Sequence, residues 1–371
     1  MMFLGIDCST QLEVDEKNPH YFHNGKPVDP WKCFKEENNV SWMRLRVWLD
    51  PYDEKGRPYG GGTNDYPAFS KLAKRALSLG YKILLDFHYS DFWADPGKQM
   101  IPKSWRGLNI DQLAEKVYEY TKETLNKAKE DGIHVSAVQI GNEITNGTLW
   151  PEAKLLDPDG EGVRKGYDNL AKILKAGCKA AHEFDPELIR VIHLERSGSK
   201  KIHQEYFEEI IKRGVEFEVI GESFYPYWHG TYEMVFDNFD NLKALFHKPV
   251  WIVETGYGFT MEPYVLNQNN GVNLIDEEFF KQKDTFMIFP LTKQGQKDFI
   301  EGLLSRCREH GIEGIFYWEP CWLPLPGLTW ATVEGETYIN ETNKPTNNEW
   351  ANQCLFDYEG NATPAFDSFK A

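Results

Sequence analysis

Two glutamates stand where strands would deliver them for chemistry. Ser136-Ala137-Val138-Gln139-Ile140 is an apolar, β-branched run that ends in Gly141-Asn142-Glu143, and Val250-Trp251-Ile252-Val253 ends in Glu254 ahead of Thr255-Gly256. In a parallel sheet such runs are buried strands, and their carboxyl ends form the rim where active sites are built. Two rim carboxylates are what glycoside hydrolysis requires: one protonates the leaving oxygen, the other attacks the sugar or activates water. Either glutamate alone reads equally well as a polar loop start. The pair, set among aromatic residues, favours catalysis.

Other strand ends carry partners for them. Arg44 and Arg46 lie two apart in Trp42-Met43-Arg44-Leu45-Arg46-Val47-Trp48 and share a face. An inward arginine needs an anion, and the expectation is that Arg46, nearer the strand end, pairs with Glu254, while Arg44 faces either inward or an outer helix. His88 closes Tyr81–Phe87 and opens a loop containing Asp91, Phe92 and Trp93, in which stacking faces alternate with a hydroxyl-binding carboxylate. From these positions Glu254 is expected to be a nucleophile kept ionised by Arg46 and Tyr225. Glu143 is expected to be the acid, its pKa raised by its surroundings and by the charge of Glu254. Asn142 would bond the sugar 2-hydroxyl, and Trp318 would floor the site. The expected carboxyl separation is roughly 5–5.5 Å, the retaining arrangement.

Eight strands are needed to hold these groups, and eight are legible. Besides the four runs above they are Phe3–Ile6, Ile189–Leu194 with His193 near its end, Phe217–Gly221 and Gly314–Pro320. Amphipathic helices alternate with them, at 30–39, 65–79, 110–129, 167–182, 203–212, 235–246 and 293–310. The pattern predicts an α/β protein, a single (β/α)8 barrel over residues 1–371 with its site on the carboxyl-terminal rim. Loops 256–291 and 323–348 have no clear elements, apart from a weak helical signal at 276–283, and long loops of this kind are usually functional.

Bulk composition narrows the chemistry. A net charge of -16 over 371 residues argues against nucleic acid, anionic membranes and polyanionic substrates. An aromatic share of 14%, with 12 Trp, suits sugar stacking. Six scattered cysteines form no metal-binding pair, and Cys178 and Cys307 are expected as buried thiols. No 18-residue apolar run is present. The first residues are too short for a signal peptide, leaving cytoplasmic and exported locations both open. Two other classes compete with a glycosidase. His88, His193 and His229 could bind a catalytic metal, though the first strand lacks the His-x-His of barrel metallohydrolases. A disabled, sugar-binding barrel is the other.

Several longer motifs together resemble glycoside hydrolase family 53, the arabinogalactan endo-β-1,4-galactanases. They are Arg44-Leu45-Arg46-Val47-Trp48, the stretch from Leu85 to Gln99, Gly141-Asn142-Glu143-Ile144, Tyr225-Pro226-Tyr227-Trp228-His229-Gly230, Val253-Glu254-Thr255, Tyr317-Trp318-Glu319-Pro320 and Asn352-Gln353-Cys354-Leu355-Phe356-Asp357. The resemblance implies Glu143 as acid/base, Glu254 as nucleophile, and Arg46, His88, Asn142, His193, Tyr225 and Trp318 around the reacting sugar. Asp91, Trp93, Trp228 and His229 complete the expected sugar-binding set. The resemblance implies a β-1,4-galactan substrate, with an endo-mannanase or glucanase of the same clan as the runner-up; separately, the chain is expected to be a monomer. Many bacterial relatives carry calcium in the seventh loop, but here that loop reads Glu262-Pro263-Tyr264-Val265-Leu266-Asn267-Gln268-Asn269-Asn270, without the acidic spacing. No metal or other cofactor is therefore expected, and some other device must hold the loop. Glu222 stands where the family has a hydrophobic residue.

Overall fold

The computed structural model describes residues 2–156, 163–266, 269–341 and 347–370. Asn267 and Gln268 of the seventh loop, and 342–346 of the eighth, lie outside the described residues. Eight parallel strands close into a barrel: β1 (Phe3–Asp7), β2 (Val40–Val47), β3 (Lys82–Phe87), β4 (Val135–Ile140), β5 (Ile189–Leu194), β6 (Val219–Phe224), β7 (Val250–Thr255) and β8 (Gly314–Trp318). Each pairs with its neighbours in chain order, and β8 closes on β1. Among the described residues, seven helices of eight residues or more lie between strands: α1 (Pro30–Glu37), α2 (Tyr66–Ser78), α3 (Ile110–Glu130), α4 (Tyr167–Phe184), α5 (Lys200–Lys212), α6 (Tyr232–Phe246) and α7 (Lys293–Glu309), besides the short helices Gln11–Asp15 and Pro226–His229.

Local sequence sets the helix boundaries. Asp65 caps α2 by accepting from the Ala68 N–H, and Asn109 and Gln112 cap α3 reciprocally. An eighth outer helix is replaced by a 3-10 stretch, Pro364–Lys370, packed on α7. The eighth loop contains a seven-residue helix, Val333–Ile339, capped by Thr332. It is too short to show as a periodic pattern in the sequence. The weak signal at 276–283 shrinks to a 3-10 turn, Phe279–Lys281. All six cysteines are free and buried.

The barrel interior is layered. Its floor is aromatic, with Phe3 stacked on Trp42 at 4.9 Å and edge-on to Trp251 at 4.9 Å. Gly5 and Gly314 make this floor possible, because a Cβ on them would lie 2.3 Å from the Phe316 ring and 2.1 Å from the Phe3 ring. Above it Leu84, Ala137, Val191, Val219 and Val253 fill the bore. The next layer is polar and fully buried: Asp7, Arg44, Asp86, Gln139, His193 and Ser223. One irregularity shapes the rim. Glu222 of β6 pairs with Ile252, yet the next residue, Ser223, pairs with Glu254, so β7 carries an extra residue. Such a bulge re-aims side chains. With Trp251 and Val253 in the bore, regular alternation would point Glu254 outward, and the bulge returns it to the cleft.

Candidate active site

A cleft of about 510 Å³ opens over the carboxyl ends of the strands, and both Glu143 and Glu254 line it. Arg46, His88, Trp93, Asn142, Tyr225, Trp228, His229 and Trp318 of the expected set line it as well. Two expected residues do not. Asp91 is fully buried and binds the Lys103 N–H at 2.6 Å and the Tyr338 hydroxyl at 3.2 Å, so it braces the rim loop. His193 is fully buried beneath the cleft. Its Nδ1 accepts from Gln139 Nε2 and from the Glu143 backbone N–H, and its Nε2 faces Ser223 Oγ at 2.8 Å.

The arginines exchange the places expected from the sequence. Arg44, not Arg46, bonds Glu254, with Nη1 2.8 Å from Oε1, and it also reaches Asp7 and Asp86 at 2.8 Å each. The cause is register: Asp7 is level with both Arg44 and Trp318, and Tyr317 with Thr255, so Arg44 meets the end of β7. Arg46, two residues further, is carried past that level to Glu319, at 2.7 Å. It also donates to the Gly61 carbonyl and lies 4.4 Å over the Trp93 ring. Arg44 faces the bore and no outer helix, since its partners Asp7, Asp86, Gln139 and Glu254 all stand on barrel strands.

The two glutamates sit in different electrostatic surroundings. Glu143 is held in the left-handed region at φ 48°, in the turn after β4, a strained conformation of the kind that gathers at functional sites. Burial and then the charges of Glu254 and Glu195 push its carboxyl well above the ordinary range, against a 2.7 Å hydrogen bond from the Ser223 hydroxyl. Glu254 is pushed up to about 7 by burial and opposed chiefly by Arg44. The Tyr225 hydroxyl, 3.0 Å away, adds a second donor. Of the two, Glu143 is the one without a cation and keeps its proton longer.

The histidines are committed to scaffolding. His88 donates from Nε2 to Asp86 at 3.0 Å and accepts at Nδ1 from Trp48 Nε1 and the Ala94 N–H. Burial lowers its pKa, so it is the neutral form that fits this pattern. His229 Nδ1 accepts the Tyr225 N–H. The aromatic walls are Trp93 stacked on Trp330 at 4.2 Å, and Trp318 edge-on to Trp350 at 4.6 Å. Glu195, Glu319, Trp330 and Trp350 were not singled out from the sequence. A signal existed for the two acids, since each follows a strand end as Glu143 does. The two tryptophans come from loops with no pattern to place them. Glu222 points away from the cleft and bonds His203 of α5 at 2.9 Å.

A tryptophan-walled cleft on a barrel rim, with a proton-retaining carboxyl near an arginine-paired one, defines the class of barrel glycoside hydrolases. The sequence profile described as "Glycosyl hydrolase family 53" matches residues 3–369, and the chain belongs to that family. It is 29% identical to an endo-β-1,4-galactanase of Bacillus subtilis, covering 99% of this chain and 85% of that protein. It is 30% identical to an arabinogalactan endo-β-1,4-galactanase of Cellvibrio japonicus, covering 100% and 90%. The solved family 53 catalytic domain of Ignisphaera aggregans superposes with a TM-score of 0.85 at 35% identity, covering 99% of this chain and 95% of that one. The chain is thus a glycoside hydrolase.

Proposed function

We propose that this enzyme cleaves internal β-1,4-galactosidic bonds of galactan by retaining double displacement. The observation that carries the reading is the unequal setting of the two rim glutamates, one held by Arg44 and Tyr225, the other half-buried beside acids and without an ion pair among the described residues. The activities named for the two relatives supply the substrate. Glu254 attacks the anomeric carbon as the glycosidic C–O bond breaks, and Glu143 gives its proton to the departing 4-oxygen. Water then attacks the glycosyl-enzyme, Glu143 takes its proton, and Glu254 leaves. Asn142 uses one amide proton on the Ala94 carbonyl and keeps the other for the 2-hydroxyl. Trp318 floors this subsite, Trp93 and Trp228 stack against neighbouring sugars, and His193 positions Glu143 from below.

The chain's residues do not fit the calcium site of its relatives. Between Met261 and Gly271 the only acid is Glu262. The loop hangs instead from the carboxyl-terminal segment: Asn352 Nδ2 donates to the carbonyls of Thr260 and Ile275, and the Tyr358 hydroxyl donates to that of Glu262, which also accepts from Asn273 Nδ2 within the loop itself. We take these bonds to be the device that holds it.

Reducing-end release from linear β-1,4-galactan, mannan and cellulosic glucan tests the reading. The expected result is turnover of galactan alone by the wild type, abolished in Glu254→Ala. Turnover of mannan or glucan in its place overturns the substrate, and binding of galactan without products overturns the enzyme.

A further inference from the structure

Among the described residues, one cluster of metal-ligating side chains lies apart from the cleft: His23, Cys33 and Glu37. Cys33 and Glu37 are one turn apart on α1, and His23 ends the first strand of a small hairpin, Phe22–His23 with Lys26–Pro27. His23 and Cys33 are buried, 6% and 5% exposed, while Glu37 opens to solvent. Their ligand atoms face one another. His23 Nδ1 is 3.7 Å from Cys33 Sγ and 3.1 Å from Glu37 Oε2, and Cys33 Sγ is 3.3 Å from Glu37 Oε1. Nitrogen, sulfur and oxygen ligands at ordinary zinc distances around a tetrahedron stand about 3.4–3.6 Å apart. The three observed edges bracket that range.

The histidine is also presented as a ligand. Its Nε2 lies 3.0 Å from Asp367 Oδ1, with Asn24 Nδ2 3.3 Å away on the same side. A carboxylate that takes the Nε2 proton leaves the Nδ1 lone pair free and pointing at Cys33 and Glu37, which is how zinc-bound histidines are oriented. Lys370 holds Asp367 in turn, at 2.7 Å.

We propose that His23, Cys33 and Glu37 bind a zinc-class divalent cation, with water in the fourth position and Asp367 orienting the histidine. Mixed N, S and O donors suit borderline-soft Zn2+ better than Ca2+ or Mg2+, which take oxygen ligands. Binding displaces the Cys33 thiol proton to solvent and leaves a thiolate on the metal. The cation would staple the hairpin to α1 and, through Asp367, to the 3-10 stretch that stands in for the eighth helix. None of the three ligands lines the cleft, so the site is structural.

The competing occupant is a proton, for the same contacts are hydrogen bonds when His23 is doubly protonated and the thiol donates to Glu37. Titrating the untagged, metal-stripped chain with Co2+ and Zn2+ separates the two. The expected result is a near-ultraviolet thiolate-to-cobalt band in the wild type, bleached by equimolar Zn2+, with a higher Tm. Cys33→Ser abolishes the band, and Asp367→Asn weakens Zn2+ binding about 10–100-fold. Galactan hydrolysis is the same with and without Zn2+. A wild type that gives no cobalt–thiolate band, or a band unaffected by Cys33→Ser, overturns the proposal.

Discussion

At the scale of single residues, the mouth of the barrel is a problem in charge. Arg44 faces Asp7, Asp86 and Glu254, and Arg46 faces Asp7 at 3.7 Å and Glu319, itself pushed up to about 7 by burial. Carboxyls outnumber guanidiniums, so a proton is retained, and Glu143, pushed up by burial and by the charges of Glu254 and Glu195, keeps it. Replacing Glu143 by Gln removes the acid/base, and kcat on galactan should fall about 10²–10⁴-fold, as measured by initial rates. Ser223→Ala has a subtler sign. The hydroxyl favours ionised Glu143, so its loss raises that pKa further and moves the alkaline limb of kcat to higher pH. A limb displaced to lower pH would contradict the assignment. Glu254→Gln acts oppositely on Glu143: the neighbouring negative charge disappears, and the Glu143 carboxyl, followed by NMR titration, should ionise at lower pH. The two glutamates were legible in the sequence because each ends a β-branched run. The exchange of Arg44 and Arg46 was not, since both share a face and only the stagger of a closed barrel decides which one meets β7.

Elements were more legible than their exceptions. All eight strands and seven helices follow from periodicity and caps, because each must bury one continuous apolar face. The bulge in β7 leaves no such trace, for an inserted residue at the end of the unbroken apolar run Val250–Val253 changes no pattern. The short helix Val333–Ile339 and the tryptophans at 330 and 350 depend on contacts between segments distant in sequence. Packing at the barrel floor makes an element-scale prediction. Gly314→Ala places a methyl carbon 2.1 Å from the Phe3 ring, where rings from three strands leave no room to retreat. Overpacking of this kind costs about 1–3 kcal/mol, read as a lower denaturation midpoint with the cleft chemistry retained.

For the molecule as a whole, the carboxyl-terminal segment ties down what the barrel leaves loose. Asn352→Ala removes both of its side-chain bonds to the seventh loop and leaves the buried Ile275 carbonyl unpaired, at about 1–3 kcal/mol, and the half-buried Thr260 carbonyl without this donor. Limited proteolysis should then cut within 256–291 faster than in the wild type, and an unchanged rate would detach this residue from the loop. The tryptophan pair at the cleft has an optical consequence. Trp93 and Trp330 lie face to face at 4.2 Å and 11°, close enough for their excited states to mix and divide one circular-dichroism band into a couplet of opposite signs. A sugar ring settling against that pair perturbs the couplet, so the enzyme carries its own unlabelled gauge of occupancy.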